Sequence, residues 1–304
     1  MAIPESQLET WANPGATVTA KATHESIRNA LESQSSPIAN RIKNGTVEIY
    51  LQGSYKNDTN IRGDSDVDVI VELSTTFHHN SQELPLEQRQ SHIDAYITAQ
   101  YNLTEFRNDI VTALKKYYED KFVDASGGKS IKLLPAAGRL KADIVPATKF
   151  RKYSYFNGSD SFSAARGIWL YDFKAKSEII NFPHHHYNNG VAKNSEKRTN
   201  GFYKPTVRIF KNARSYLVDN NQLTKESAPS YFLQSLIYNM PDELFGIDYQ
   251  STVYNILTFL HKYQILNFMC QNEQHLLFGN SPEQWNLSAA RNTIDKLIAL
   301  WNNW

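Results

Sequence analysis

Residues 51–54 read Leu-Gln-Gly-Ser and, after eleven intervening residues, residues 66–71 read Asp-Val-Asp-Val-Ile-Val. The alternation in the second stretch predicts a β-strand, because successive side chains of a strand point to opposite faces of the sheet. The three valines then face the core, and Asp66 and Asp68 share the other face about 6.5 Å apart. Two carboxylates at this spacing can converge on a pair of divalent cations, which two-metal phosphoryl-transfer sites hold about 3.5–4 Å apart.

A third carboxylate belongs to a predicted hairpin, whose strands 130–134 and 139–145 flank a turn-forming Pro-Ala-Ala-Gly segment. In its second strand, apolar residues alternate with Lys141 and Asp143, so Asp143 joins the other aspartates if the hairpin pairs beside their strand. Three carboxylates this close repel one another unless a cation compensates them. All-oxygen ligands, in a chain with a single cysteine, favour Mg²⁺ or Mn²⁺ over zinc.

Gly53 and Ser54 follow the strand predicted over residues 46–51. Glycine lets the backbone approach a ligand closely, and exposed N–H groups with the serine hydroxyl can hold triphosphate oxygens. A Gly-Ser pair alone is weak evidence, and an isolated Asp-Val-Asp alternation is more often a solvated strand face. Their coincidence with a third aspartate on a strand favours a phosphoryl-transfer site.

Length and composition limit the classes of protein to consider. A chain of 304 residues with 41% hydrophobic and 12% aromatic residues predicts two compact lobes with packed cores. Lys+Arg 32 against Asp+Glu 31 gives a formal charge of +1, which argues against a protein that wraps long nucleic acid but allows a small anionic ligand. Because Cys270 is the single cysteine of the sequence, a disulfide framework is excluded. No signal segment and no apolar span are recognisable, so we expect a cytoplasmic protein without a membrane partner.

The pattern along the chain divides it into two halves. The first half is mixed, with a helix that ends near Glu32, strands over 46–51 and 66–73, a polar loop over 52–65 and a helix over 103–120. Residues 149–203 show no clear period and are expected to join the halves. The second half predicts helices over 205–218, 229–239, 249–263 and 288–301. We therefore predict an α+β protein with a sheet lobe over 1–200 and a helical lobe over 201–304.

At these residues the sequence resembles the polymerase β-type nucleotidyltransferase fold, and more closely the cyclic GMP-AMP synthase/DncV-like nucleotidyltransferases (CD-NTases) of the CdnE-like clade. The similarity covers nearly the whole chain, and its longest motif is YLQGSYKNDTNIRGDSDVD at 50–68. Further matching segments lie at 4–8, 15–21, 142–146, 204–217, 228–233 and 281–285. The resemblance implies an active site in the cleft between the two lobes and an N-terminal helix that can pack on both.

The resemblance also implies roles for individual residues of the first lobe. Asp66, Asp68 and Asp143 look like the catalytic triad that binds two Mg²⁺ ions, which Mn²⁺ can replace. Gly53 and Ser54 look like the pair that grips the phosphates. Asp143 is the first choice among the aspartates for an additional role as general base.

Two residues of the helical lobe resemble those that contact the donor triphosphate, namely Lys211 and Ser230. Lys204, Arg208 and Lys211 lie four and three residues apart, so a helix carries them on one face. Such a basic stripe can neutralise a triphosphate in the cleft or be an ordinary solvated face. Ser230 follows Pro229 at a predicted helix start, where its hydroxyl can also serve only as a cap.

Asn181 matches a position at which CdnE-like enzymes that prefer pyrimidines read uracil with an asparagine. An amide has both a donor and an acceptor, which suits the O4 and N3–H edge of uracil; a loop-capping role is the alternative. The adjacent His184, His185 and His186 do not converge on one ion by their spacing. We expect these three histidines at the surface.

The resemblance implies an enzyme that joins two nucleoside triphosphates into a cyclic dinucleotide, such as cyclic UMP-AMP, and releases pyrophosphate. UTP and ATP are the expected substrates, CTP or GTP are the alternatives, and a downstream effector of an antiphage (CBASS) system senses the product. Two other interpretations stay open: a template-independent enzyme that adds nucleotides to RNA ends, and a catalytically silent nucleotide-sensing scaffold. The near-neutral charge argues against the first, and the three aspartates argue against the second.

Overall fold

The computed structural model describes residues 2–15, 17–62 and 66–304. Within these residues the strands are β1 (Val47–Leu51), β2 (Val67–Asn80), β3 (Val123–Asp124), β4 (Ile131–Leu133), β5 (Ala142–Phe156), β6 (Phe162–Asp172) and β7 (Ser177–Asn181). The helices of the first half are α1 (Glu5–Ala12), α2 (Val18–Glu32), α3 (Ala39–Lys43), α4 (Gly53–Asn57), α5 (Leu86–Ala95) and α6 (Leu103–Tyr118). Those of the second half are α7 (Pro183–Lys193), α8 (Glu196–Thr199), α9 (Tyr203–Asp219), α10 (Ser230–Tyr238), α11 (Tyr249–Lys262) and α12 (Leu287–Asn302).

Contacts divide the chain into two compact units. The unit that we call the sheet unit comprises residues 17–52 and 66–183, and the helical unit comprises the described residues of 1–16, 53–65 and 184–304. In this grouping residues 184–200 lie with the helices, whereas the sequence placed them in the first lobe. The boundary between the two lobes themselves stays a prediction.

The strands form one mixed sheet in the order β1-β2-β5-β4-β3, and β6 pairs with both β5 and β7. The β2–β5 pair is parallel, and the other pairs are antiparallel. Helices α2 and α6 pack against each other and against this sheet. Their fully buried apolar residues include Ile27, Leu31, Phe106 and Ile110. The capping residue Asn102 fixes the start of α6, because its side chain accepts the N–H groups of the first turn.

The helical unit is built around α9, which packs against α1, α10, α11 and α12. Apolar residues of α9 three and four positions apart, namely Val207, Phe210, Ala213 and Leu217, are buried in its core. Helix α1, which has eight residues and buries Leu8 and Ala12, was not predicted from the sequence. A helix this short has too few turns for its apolar period to stand out.

The predicted α+β class is confirmed, as are the four helices of the second half, the helix over 103–120 and the hairpin of β4 and β5. Two expectations were wrong. The polar loop over 52–65 contains α4, a single turn with no apolar period to recognise. Residues 149–203 carry the end of β5, all of β6 and β7, and two helices. Their alternation was obscured because the β5–β6 register shifts between Tyr153 and Tyr155, which interrupts the two-residue period.

Candidate active site

The turn at Gly53 follows directly from the sheet. The N–H of Gln52, the residue after β1, donates a hydrogen bond of 2.9 Å to the carbonyl of Asp68. Gly53 then adopts φ +68°, a left-handed conformation that strains any residue with a side chain. Within the helical unit, the side chain of Asn57 donates to the Gly53 carbonyl at 2.7 Å, and the N–H of Thr59 donates to the Ser54 carbonyl at 2.9 Å. These bonds hold the Gly-Ser turn in one conformation.

The aspartates occupy neighbouring parallel strands of the sheet unit. In the β2–β5 register Asp68 is the direct partner of Asp143, and Val67, next to Asp66, is the partner of Ala142. Val67 and Ala142 are fully buried, while the three aspartates are half-buried on the opposite face. The expectation that the strand of Asp143 lies beside the strand of Asp68 is therefore confirmed. We call Asp66, Asp68 and Asp143 the aspartate group; its catalytic role stays a prediction.

The aspartate group has polar partners that the sequence analysis did not identify. The ammonium of Lys141 donates a hydrogen bond to Asp66. This bond raises the pKa of Lys141, and attraction by Asp143 and Asp68 acts in the same direction. The Ser130 hydroxyl lies 3.3 Å from Oδ1 of Asp143 and donates to it. Strand alternation placed Lys141 and Asp143 on one face, but alternation along one strand cannot show which carboxylate a lysine pairs with.

The donor set of this group suits hard divalent cations, because it offers carboxylate oxygens from two adjacent strands. In the described residues, no three acidic, histidine or cysteine side chains are already gathered closely enough to hold an ion. One reason is visible at Asp66, whose carboxylate is engaged by Lys141. The residues fit Mg²⁺ or Mn²⁺ by type and by register, provided that this ion pair opens.

Two of the three predicted stripe residues of α9 are buried rather than solvated, and the third, Lys204, is half-buried. Arg208 is 6% exposed and Lys211 is 3% exposed, and both donate to backbone carbonyls of the helical unit. The Lys211 ammonium lies 2.6 Å from the carbonyl of Thr59, five residues after Ser54. The alternative of an ordinary solvated face is therefore wrong for both residues. Burial of Arg208 lowers its pKa, which the nearby Asp58 partly opposes.

Ser230 begins α10 directly after Pro229, as predicted. Its hydroxyl accepts a hydrogen bond of 3.0 Å from Arg214 of α9. Pro229 occupies the N-cap position, and its carbonyl accepts the N–H groups of Phe232 and Leu233 at 3.1 and 3.0 Å. Ser230 is half-buried, so its hydroxyl joins two helices, and its contact with a triphosphate stays a prediction.

Further along α10, a chain of buried polar side chains connects the segment after the Gly-Ser turn with the helices. The Thr59 hydroxyl donates to Gln234 at 3.2 Å, and the Gln234 amide donates to Gln271 at 3.0 Å. The hydroxyl of Tyr203 also donates to Gln271. Gln271 in turn donates to the carbonyl of His186 at 2.6 Å. We call Thr59, Tyr203, Gln234 and Gln271 the polar network.

Asn181 is the last residue of β7 and is half-buried in the sheet unit. Its side-chain oxygen accepts the N–H of Phe182 at 2.8 Å. This hydrogen bond supports the capping alternative. The amide nitrogen and the second lone pair of the oxygen are the positions from which the side chain can contact a base, and that role stays a prediction.

The expectation of three surface histidines is wrong for His186. This residue is buried on α7 and stacks on Tyr231, with ring centroids 5.2 Å apart. Burial lowers its pKa to about 4. The buried positions of α7 are His186, Gly190 and Lys193, which follow helical spacing but are not apolar residues. A hydrophobic pattern therefore could not reveal the buried face.

A half-open cavity of about 690 Å³ lies at the opposite end of β2, beside His78, His79 and Trp169. About ten residues of extended strand, roughly 30 Å, separate this end of β2 from Asp68. The cavity therefore does not belong to the aspartate group.

No helix within the described residues has the length and apolar character that a membrane crossing requires.

Two family models match the chain. Residues 33–162 match a nucleotidyltransferase domain, and residues 188–302 match the cGAS/DncV-like nucleotidyltransferase C-terminal helical domain. The two matches fall mainly on the sheet unit and on the helical unit, respectively. They agree with the order of a catalytic domain followed by helices.

Curated relatives align over the entire chain. A cyclic UMP-AMP synthase of Rhodothermus marinus is 42% identical over 304 residues, which cover 100% of this chain and 99% of the relative. The cyclic nucleotide synthase CdnE01 of Staphylococcus haemolyticus is 39% identical over 308 residues, which cover 100% of both chains. The solved structure of the R. marinus CdnE c-UMP-AMP synthase with Apcpp and Upnpp superimposes with a TM-score of 0.86, covering 99% of this chain and 97% of that one.

Proposed function

The chain belongs to the CdnE-like branch of the cGAS/DncV-like nucleotidyltransferases, and from this premise we propose that it joins one uridine and one adenosine nucleotide into cyclic UMP-AMP. Members of this branch are cyclic nucleotide synthases, and this chain is a nucleotidyltransferase of that kind. The pairing of Asp68 with Asp143 carries the enzymatic part of the proposal. The 42% identity to a cyclic UMP-AMP synthase over the full length supports the choice of bases.

In this proposal Asp66, Asp68 and Asp143 hold two Mg²⁺ ions, and Mn²⁺ can replace them. When bound, these ions stabilise the charge that develops on the transferred phosphoryl oxygens. Asp143 accepts the proton of the attacking ribose hydroxyl as general base. The Ser130 hydroxyl, which donates to Asp143 Oδ1, orients that carboxylate for the proton transfer.

The triphosphate is bound by residues of the helical unit. The left-handed turn at Gly53 lets the backbone approach the phosphates closely, and backbone N–H groups and the Ser54 hydroxyl serve as donors. Lys211 supplies a positive charge beside this turn, because its ammonium bonds the carbonyl of Thr59. Ser230 supplies a second hydroxyl, which Arg214 holds in place.

Two identical steps close the ring. In the first step the ribose hydroxyl of one nucleotide attacks the α-phosphorus of the other, and pyrophosphate leaves. The linear product keeps one triphosphate, which then occupies the donor position for the second attack. The cyclic product has no terminal phosphate, so a phosphatase does not degrade it, whereas an oligomer with free ends loses its terminal phosphates.

The experiment is an incubation of the protein with each labelled triphosphate singly and in pairs in the presence of Mg²⁺. Phosphatase is then added, and the surviving products are identified by mass. We expect a phosphatase-resistant product of one uridine and one adenosine from ATP with UTP. Resistant product from other pairs would contradict the base assignment alone. No pyrophosphate release from any mixture would contradict the enzymatic proposal and support a silent scaffold.

We further propose that the product is the second messenger of an antiphage system and that a downstream effector senses it. The family resemblance supports this role, and a cytoplasmic location is part of the same proposal. The test is phage infection of cells that express this chain together with a candidate effector that responds to cyclic UMP-AMP. Protection by the wild type and its loss in Asp68→Asn is the expected result.

A further inference from the structure

The contact between Lys141 and Asp66 joins the two strands that carry the aspartate group. Lys141 directly precedes β5 and stands two residues before Asp143, while Asp66 directly precedes β2. The Lys141 ammonium donates to Oδ2 of Asp66, and the two side chains are 38% and 39% exposed. The backbones already meet here, since the N–H of Val67 donates to the Lys141 carbonyl at 3.0 Å.

An exposed ion pair usually contributes little to stability. This pair differs because Asp68 and Asp143 are register partners beside it, so three carboxylates share one end of the β2–β5 pair. Like charges gathered at one place repel one another, and a cation placed among them offsets that repulsion. Lys141 places one positive charge beside these carboxylates. It pairs with Asp66, which is also a carboxylate that a metal ion would bind.

We propose that Lys141 is a placeholder cation, which occupies Asp66 while no divalent ion is bound and leaves when an ion binds. This inference rests on the metal-binding part of the proposed function. Lys141 is thus a positioning residue that acts through Asp66 and has no contact with substrate. It keeps the carboxylates compensated in the metal-free protein and sets the ion concentration at which they become available.

The placeholder has a measurable consequence for metal affinity. A divalent ion that binds Asp66 must first displace the Lys141 ammonium. The displaced ammonium stays nearby, and its positive charge then repels the bound ion. Replacing Lys141 by a neutral residue removes both effects. For a unit charge about 6 Å from a divalent ion in high dielectric, the expected gain in affinity is about tenfold.

The experiment measures Mn²⁺ binding by electron paramagnetic resonance in the absence of nucleotide. The proteins are wild type, Lys141→Met, Lys141→Arg and the control Lys115→Met. Lys115 is matched, because it is also 38% exposed and also pairs with an aspartate, Asp120, at 3.3 Å, but belongs to α6. We expect Lys141→Met to bind Mn²⁺ about tenfold more tightly, and Lys141→Arg and Lys115→Met to bind like wild type.

Thermal unfolding gives a second readout that does not depend on enzymatic turnover. Without metal, Lys141→Met should unfold at a lower temperature than wild type, and saturating Mn²⁺ should raise its midpoint by more. Lys141→Gln takes its place if the methionine variant does not fold. Removal of the ligand in Asp66→Asn should abolish the difference between Lys141→Met and wild type.

The outcomes separate this inference from the proposal on which it rests. If wild type binds Mn²⁺ and Lys141→Met binds it equally or more weakly, the placeholder role is wrong and the metal site stands. If none of the proteins binds Mn²⁺ at millimolar concentration, the metal-binding part of the proposed function fails, and the role of Lys141 fails with it.

Discussion

Polar side chains have opposite environments in the aspartate group of the sheet unit and in the polar network of the helical unit. The aspartates are half-buried and gather three like charges, beside Lys141, which pairs with Asp66, and Lys132, the register partner of Asp143 on β4. Gln271 of the network is fully buried and neutral, and both its amide atoms take part in hydrogen bonds. Buried polar groups are tolerated when they are bonded, whereas partly exposed charges can be left incompletely compensated.

The difference separates groups that maintain the fold from groups that are available to a ligand. The polar network ties the segment after the Gly-Ser turn to three helices, so its hydrogen bonds are part of the architecture. The aspartates contribute repulsion to the fold and become favourable only with a cation. Substitutions in the two regions should therefore affect activity and stability in opposite proportion.

The largest effect is expected from Asp68→Asn or Asp143→Asn. Each removes a carboxylate from the aspartate group, and the loss of several kcal/mol of transition-state stabilisation predicts a fall in synthesis of about a thousandfold or more. Stability should be unchanged or higher, because one of three like charges is gone. Pyrophosphate release and thermal unfolding measure the two quantities.

The control for this prediction is Asp94→Asn, since Asp94 is exposed on α5 of the same unit. It should keep wild-type synthesis. An Asp143→Asn protein with wild-type turnover would remove Asp143 from the mechanism and reduce the aspartate group to a structural feature.

The second effect concerns the polar network and is one of stability. Gln271→Leu preserves volume but removes the acceptor of the Gln234 amide and the donor to the His186 carbonyl, and it leaves the Tyr203 hydroxyl only the longer bond of 3.3 Å to the Gln234 carbonyl. Buried groups that lose their partners cost about 1–3 kcal/mol each, so we expect a loss of about 3 kcal/mol in the free energy of unfolding. Urea denaturation measures it from the midpoint at an unchanged slope.

Gln222→Leu is the matched control, because Gln222 is exposed in the same unit. We expect it to change the free energy of unfolding by less than about 0.5 kcal/mol. Equal midpoints for the Gln271 and Gln222 variants would mean that the network contributes nothing beyond packing, and the contrast with the aspartates would disappear.

The two regions could be predicted from the sequence to different extents, because one follows a local pattern and the other depends on contacts between residues far apart in the chain. The aspartates were predictable because strand alternation is local and because Asp68 and Asp143 each sit in an unbroken alternation. The burial of Lys211 was not, because its partner Thr59 lies 152 residues earlier in the chain. Gln271 gave no signal for the same reason. A buried amide has no periodicity, and its partners come from helices that meet only in the folded chain.

A third effect is a pH dependence from His186 of the helical unit. Its pKa is lowered by burial to about 4, against an ordinary value of about 6.5. As the pH falls below 6.5, His186 binds a proton in the unfolded state but stays neutral in the folded state. Its contribution to the free energy of unfolding is therefore complete above pH 6.5 and is lost as the pH falls towards 4. The full shift corresponds to about 3 kcal/mol.

Comparison of wild type with His186→Phe isolates this contribution, because phenylalanine keeps the stacking on Tyr231 but does not ionise. Between pH 7 and 4.5 the wild type should lose more stability than the variant by about 2 kcal/mol. His261→Phe, at an exposed position of α11, serves as the control with the wild-type slope. Parallel curves for wild type and His186→Phe would show that the histidine is not held neutral.

The smallest effect contrasts two amides. Gln271 has partners for both its oxygen and its nitrogen, whereas in the described residues Asn181 uses its oxygen for the Phe182 N–H. If the Asn181 nitrogen donates to O4 of uracil, Asn181→Ser shortens the reach of this donor and Asn181→Asp places an acceptor there. One lost hydrogen bond predicts a fall of about tenfold in the use of UTP relative to CTP for the serine variant. The aspartate variant should discriminate against UTP more strongly, because its charge repels O4.

Mass analysis of products from mixed triphosphates measures both ratios. An unchanged ratio in both variants would assign Asn181 to capping β7, and both amides would then belong to the architecture.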